Sequence, residues 1–395
     1  MHQKTIHEKW KDSSISILPP MNTDESVLAK IKKLGFGFMR LPMDGEKVDI
    51  EAVCRMTDAF IEAGFNYFDT AHGYLKGMSE VAVRECVSSK YPRESFILAN
   101  KLSTNFFEKR EDIRPLFEEQ LSLCGVDYFD VYLMHSQNSA IYEKYNRIGA
   151  YEEAAALRRE GKIKHIGISF HDRAEVLEKI LSEHPEIEVV QLQLNYLDFD
   201  DPAVDGRRNL EVCGRYGKPV LVMEPVKGGL LADLPDDIGS ILSSLGGGSA
   251  ASYALRFAAT LPGVTAVLSG MGSDKMVKDN ISTFINLREL DERESAAIAK
   301  VCDVFRSKHT IPCTDCKYCM EVCPVGIPIP HLFACYNKQL ATGDWSAGYY
   351  YKIHTRGGKD PSVCIGCSAC ERACPQGIKI RDTLKEVAAK FKEDR

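Results

Sequence analysis

The sequence predicts an α/β chain in two unequal parts: a (β/α)8 barrel, then a small, loop-rich, partly helical domain. Three observations predict it. From Lys33 to Leu290, eight short apolar runs alternate with amphipathic stretches. About 270 residues suits one such barrel. Ten of the fourteen cysteines lie after residue 300, a shift that marks a boundary near residues 290–308. The expected division is 1–32 as an N-terminal arm or barrel cap, 33–300 as the barrel and 301–395 as the cysteine-rich domain.

The eight runs, in order, are Leu34–Met39, Tyr67–Asp69, Phe96–Lys101, Phe129–His135, His165–Ser169, Val189–Leu194, Val220–Glu224 and Val264–Leu268. Between them lie Ile50–Ala63, Ser79–Ser88, Glu111–Cys124, Tyr151–Glu160, Arg173–Leu181, Leu210–Tyr216 and Ser249–Thr260, where apolar residues recur at steps of three and four. Glu294–Phe305 follows as a last helix. Strands alternating with helices imply right-handed parallel βαβ units. A doubly wound open sheet would carry G-x-G-x-x-G after its first strand. Here Gly35 and Gly37 sit inside the strand and Met39-Arg40-Leu41 follows.

Composition removes other classes. The chain is 44% hydrophobic and 27% charged, near the average for globular proteins. No run of about 18 apolar residues occurs, so no membrane insertion is expected. The net charge of −6, without basic blocks, argues against nucleic acid. Met1–Ser16 carries no apolar signal segment, so a cytoplasmic protein with reduced cysteines is expected.

The tail repeats itself. Cys313, Cys316, Cys319, Cys323 and Pro324 spell C-x2-C-x2-C-x3-C-P, and Cys364, Cys367, Cys370, Cys374 and Pro375 spell it again. Three thiolates on one tight loop cap three irons of a [4Fe–4S] cluster, and the cysteine before Pro serves the other cluster. One cluster is thus assigned to Cys313, Cys316, Cys319 and Cys374, the other to Cys364, Cys367, Cys370 and Cys323. Zinc ribbons use pairs, not triplets followed by C-P. The duplication closely resembles the bacterial two-cluster ferredoxins. The insert between the motifs holds a predicted helix around His331–Ala341 and an aromatic run, Trp345–Tyr351, expected to pack against the barrel.

In a barrel, chemistry sits at the C-terminal strand ends. There the second run offers Asp69 and then Tyr74, the third Lys101, the fourth His135. A Tyr is a poor acid at neutral pH, with a pKa near 10. Lys beside its oxygen favours the phenolate, Asp holds the Lys, and imidazole orients a carbonyl.

Gly64–Tyr74 with Ser79-Glu80, Leu98–Lys101 and Asp130–Ser136 resemble the signatures of the aldo-keto reductases. The resemblance spans about Lys33 to Leu290. It implies a catalytic tetrad: Tyr74 as proton donor, Lys101 and Asp69 lowering its pKa, His135 orienting the substrate. It also implies hydride from a nicotinamide. Ser169 and Gln191 match positions that hold the carboxamide, and Met223 stands where an aromatic usually stacks. The loop Ser269–Asp274, with Gly270, Gly272, Ser273 and Lys275, opens a helix and is an anion site in physical terms. NAD, NADP and a flavin (FMN) all remain open for the barrel.

Nicotinamide delivers two electrons as hydride, clusters pass one, and a flavin does both. The favoured reading is an iron–sulfur oxidoreductase acting on a small carbonyl or alcohol, with the clusters exchanging electrons with a ferredoxin or other carrier, through a flavin if the barrel holds one. The alternatives are an NAD(P)H-dependent reductase with structural or sensory clusters, and an electron-transfer or docking module with an idle barrel.

Overall fold

A computed structural model describes residues 27–307, 311–313, 317–343, 345–374 and 376–393. Eight parallel strands close a barrel in chain order: β1 (Leu34–Gly37), β2 (Tyr67–Asp69), β3 (Ile97–Leu102), β4 (Phe129–Gln137), β5 (Ile163–Phe170), β6 (Val189–Gln193), β7 (Val220–Met223) and β8 (Val264–Ser269). β8 returns to β1, with Val267 opposite Leu34. Each strand falls on one of the eight apolar runs. Absent from the sequence reading are a short hairpin pairing Met43–Asp44 with Lys47–Val48 and the helices Ser139–Ile148 and Asp236–Ser243.

Side chains alternate along a strand with period two. The set that fills the barrel includes Tyr67, Ile97, Ala99, Val131, Leu133, Val189, Leu221, Ala266 and Leu268. The same alternation, carried to the C-terminal ends, reaches Asp69, Lys101, His135, Ser169, Gln191 and Met223. The apolar layers make the core, and the last layer is polar. A short helix, Val27–Lys30, packs Leu28 and Ile31 against the barrel filling. It closes the opposite end, where Asn66 bonds the backbone of Lys30 and Lys32. Residues 1–26 of the expected arm lie outside the described residues.

Not every cysteine stays a thiol. Cys54, in helix Ile50–Glu62, and Cys86, in the π-turn Arg84–Ser88, form a disulfide. The sequence reading expected reduced cysteines; the packing of the helix on the π-turn instead brings these two sulfurs, 32 residues apart in the chain, into a bond.

The cysteine-rich part builds its own core from Ile329, Leu332, Phe333, Tyr350, Leu384, Val387 and Phe391. Its last helix, Ile380–Glu393, stacks Phe391 on Tyr351 with centroids 4.2 Å apart. Two helices from the insert, Ile329–Thr342 and Trp345–His354, lie against the barrel. Tyr350 donates to Gln193 Oε1 (3.0 Å), His354 Nε2 to Ala203 O (3.1 Å), His331 Nδ1 to Pro202 O (3.0 Å) and Arg356 to Asn138. All four acceptors belong to the ends of β4 and β6 or the loops after them, so the aromatic run roofs one side of the barrel mouth.

Candidate active site and cluster cradles

The polar last layer brings the predicted tetrad together. Lys101 Nζ lies 2.5 Å from Asp69 Oδ1 and donates to Thr70 O at 2.7 Å. It sits 4.9 Å from the centre of the Tyr74 ring, and the His135 ring meets Tyr74 edge-on at 6.0 Å. Gln191 Nε2 donates to Asp69 Oδ2 at 3.0 Å from across the barrel. Tyr74 opens a tight turn in which Leu75 and Lys76 hold positive φ. Ser136, next to His135, does the same, and its N–H donates to Ser169 Oγ at 2.8 Å. Such strain in non-glycine residues gathers at functional sites.

Electrostatics sort the four groups. Burial draws the Lys101 amine down, but Asp69 and Tyr74 outweigh it and leave it above its ordinary value, hence cationic. For Tyr74 the expected pull of Lys101 is present, yet burial exceeds it, and the phenol lies above its ordinary value. The sequence reading had the phenol lowered; it missed burial, which periodicity does not weigh. His135 is pushed well below its ordinary value by burial, then by Lys101 and His171. It is therefore neutral, with Nδ1 and Ser103 Oγ sharing a 2.5 Å hydrogen bond.

A second buried set backs the site. Glu80 takes His72 Nδ1 at 2.8 Å and Asn100 Nδ2 at 2.8 Å. Gln120 bonds Asn100 and Lys101 O, and Tyr132 bonds Gln120. His72 is raised by its bond to Glu80, against the opposing effect of burial.

Beside the ends of β7 and β8 a cleft of about 860 Å3 is lined by Glu224–Val226, Gly228, Gly270, Gly272 and Met276. Of the residues expected to bind cofactor, Gly270 and Gly272 line it. Ser273 Oγ caps helix Asp274–Ile285 by accepting from Met276 N, and Lys275 is exposed in its first turn. Ser169, Gln191 and Met223 are strand-end residues outside its lining. Most of the lining was missed, including its pair of opposite charges, Arg40 and Glu224. Arg40 lies 3.3 Å from Glu224 across the cleft, and its stem packs on Gly270, where a Cβ would come within 3.3 Å. The sequence offers no more signal for Arg40 than a cation just beyond β1.

The cysteines surround two cavities. One is lined by Cys313, Cys319 and Cys374 with Ile329, Pro330 and Phe333. The other is lined by Cys323, Cys364, Cys367 and Cys370. Cys316 lies outside the described residues. Cys367 and its neighbour Ile365 are exposed, so the second cavity sits at the surface. The grouping matches the expected exchange of the fourth cysteine between clusters. Three thiols round one cavity and four round the other form an all-sulfur donor set suited to iron–sulfur clusters.

Between barrel and tail, Asp198 accepts from Lys227 (2.7 and 2.8 Å) and from Lys338 (2.8 Å), all almost fully buried. Gln193 and Asn195 donate to the same carboxylate.

A polar layer lines the mouth of a parallel barrel, with a thiol-rich tail laid over it. Comparison with known proteins gives the class of the protein, an oxidoreductase. Residues 33–303 match the aldo/keto reductase family, and the chain belongs to that family. Residues 312–379 match the 4Fe-4S dicluster domain. An uncharacterised oxidoreductase of Bacillus subtilis, YqkF, is 25% identical over 300 residues, covering 68% of this chain and 92% of the relative. The NADH-specific methylglyoxal reductase of Escherichia coli is 30% identical over 198 residues, 44% of this chain and 57% of the relative. A solved aldo-keto reductase from Bacillus halodurans superposes with a TM-score of 0.55 at 27% identity, covering 68% of this chain and 91% of that one. Among the described residues no helix is long and apolar enough to cross a membrane.

Proposed function

We propose that this oxidoreductase reduces or oxidises a carbonyl/alcohol-type substrate at Tyr74, while its two clusters exchange electrons with a carrier such as a ferredoxin. The observation that carries the reading is the contact of Lys101 with Asp69 under the Tyr74 ring, with a neutral His135 beside it. Tyr74 donates the proton to the carbonyl oxygen in reduction and takes it back in oxidation. Lys101, held cationic by Asp69, stabilises the phenolate left behind. His135 steers the carbonyl oxygen; its Nδ1 is tied to Ser103, so Nε2 faces the substrate.

The cleft at β7 and β8 suits a nicotinamide dinucleotide. Its glycine backbone, a helix N-terminus and Arg40 form an anion cradle, and a nicotinamide bound there supplies or accepts hydride. Its relatives include an NADH-specific enzyme and, at 19% identity, a Klebsiella pneumoniae enzyme solved with NADPH. A flavin remains the other candidate for the barrel. The clusters, held by Cys313, Cys316, Cys319 and Cys374 and by Cys364, Cys367, Cys370 and Cys323, supply one-electron capacity.

The roof formed by the insert favours a second reading, in which the clusters are staples for that roof. One titration separates the two. Under anaerobic conditions NADH, then NADPH, is added and the cluster absorption followed. Bleaching supports electron transfer between barrel and tail. Steady absorption during carbonyl turnover supports staples. No reaction with either nucleotide refutes the nicotinamide assignment. Independently, Tyr74→Phe is expected to lower turnover by about 100- to 10,000-fold without unfolding the protein, and undiminished turnover would refute the tetrad.

A further inference from the structure

The aromatic run does more than pack. Tyr349 stands near Ser136, the residue after His135, and its ring lies 5.3 Å from His171. Trp345 lies 5.7 Å from Tyr349, and its indole nitrogen stands 3.5 Å from where a Cβ on Gly228 would be. The same point is 3.6 Å from Arg40 and 3.7 Å from Glu224. Glu224 is in turn close enough to raise the Tyr74 phenol. The two rings thus run along the mouth from the end of β4 to the loop after β7. On the far side Phe106, in the turn after β3, meets His72 edge-on at 4.7 Å and flanks Gly73, next to Tyr74.

Two of these rings are open to solvent, and Tyr349 between Trp345 and His171 is half-buried. Trp345 is 51% exposed and Phe106 42% exposed. Large exposed apolar groups facing one opening mark a binding surface. Flat rings on both sides of a proton donor select a flat partner, because offset and edge-on ring contacts add to plain area burial.

We propose that the iron–sulfur domain supplies one wall of the substrate site: Trp345 and Tyr349, facing Phe106, select carbonyls attached to an aromatic ring over small aliphatic ones. The proposal rests on the carbonyl chemistry assigned to Tyr74.

The test compares 2-naphthaldehyde with propanal on the holoprotein. Wild type is expected to favour the ring in kcat/KM. Trp345→Ala and Tyr349→Ala are each expected to cut that ratio about tenfold, chiefly through KM for 2-naphthaldehyde. Trp345→Phe, a gentler change, is expected to fall between. Tyr349→Phe keeps the ring, so it is expected to keep the ratio. A wild-type preference for propanal, or ratios that no variant changes, would overturn the proposal. Calorimetric binding of 2-naphthaldehyde is read in parallel. Ring-dependent binding without any turnover would leave the wall standing and remove the chemistry at Tyr74. Binding equally tight in every variant would remove the wall alone.

Discussion

With Tyr74 as proton donor, as proposed above, Tyr74 and His135 would set the pH behaviour of the site. Tyr74 works as an acid only while protonated, and its raised pKa moves the loss of the proton upward. His135, depressed, stays neutral through the neutral range. In kcat/KM, which reports the free enzyme, no limb from His135 is expected between about pH 6 and 9, and the basic limb is expected above the ordinary tyrosine value of about 10. A bell centred near neutrality would contradict the assignment. His72 runs the other way: raised by Glu80, it stabilises the fold fully below its ordinary value, and that contribution fades as pH rises through the raised one. At this scale the meeting of Asp69, Tyr74, Lys101 and His135 was legible because strand ends in a barrel are few and all face one way. Arg40 and Glu224 were not legible, because they meet through loops whose shapes carry no periodic signal, and the Glu80 network was not, because it joins polar groups from two helices and two strands well apart in the chain.

Among the elements, β5 shows how tightly the barrel interior is filled. A Cβ on Gly167 would come within 2.6 Å of Leu133, Val189 and the Val189 carbonyl. A backbone atom cannot step aside. Gly167→Ala is therefore expected to destabilise the barrel by about 1–3 kcal/mol, read as a lower denaturation midpoint; an unchanged midpoint would contradict this packing. Strands buried on both faces read as continuous apolar runs, which is why all eight stood out in the sequence. Helices Ser139–Ile148 and Asp236–Ser243 did not, because each buries only two side chains. The two insert helices were partly visible, but their place over the mouth depends on contacts with residues more than a hundred positions away, such as Tyr350 with Gln193.

The whole molecule is joined at Asp198, Lys227 and Lys338. Burial alone would raise the Asp198 carboxyl, yet the two lysines hold it well below the usual carboxylate range. Its stabilising contribution is therefore present above the ordinary value of about 4 and is lost only in strong acid. Asp198→Asn removes the carboxylate that both ammonium groups touch. It is expected to cost about 3–5 kcal/mol and to open the seam to limited proteolysis. Unchanged cleavage and midpoint would show that the seam is held elsewhere. The chain order of barrel and tail was plain in the sequence. Which face of the barrel the tail would cover was not, because Lys338 reads alone as one more surface cation on a helix.

The second cavity takes Cys323 from before the insert and Cys364 from after it. A cluster held there ties both ends of the loop that carries Trp345 and Tyr349, and so acts on the unfolded chain as a cross-link does, by removing freedom the loop would otherwise regain. The clasp sits at the surface, where chelators and oxygen reach it first. Were a cluster held there, stripping it is expected to loosen the aromatic wall and raise KM for a ring-bearing carbonyl before the barrel itself unfolds, whether or not an electron ever crosses the seam. A KM unmoved by iron removal would mean that the wall stands without its clasp.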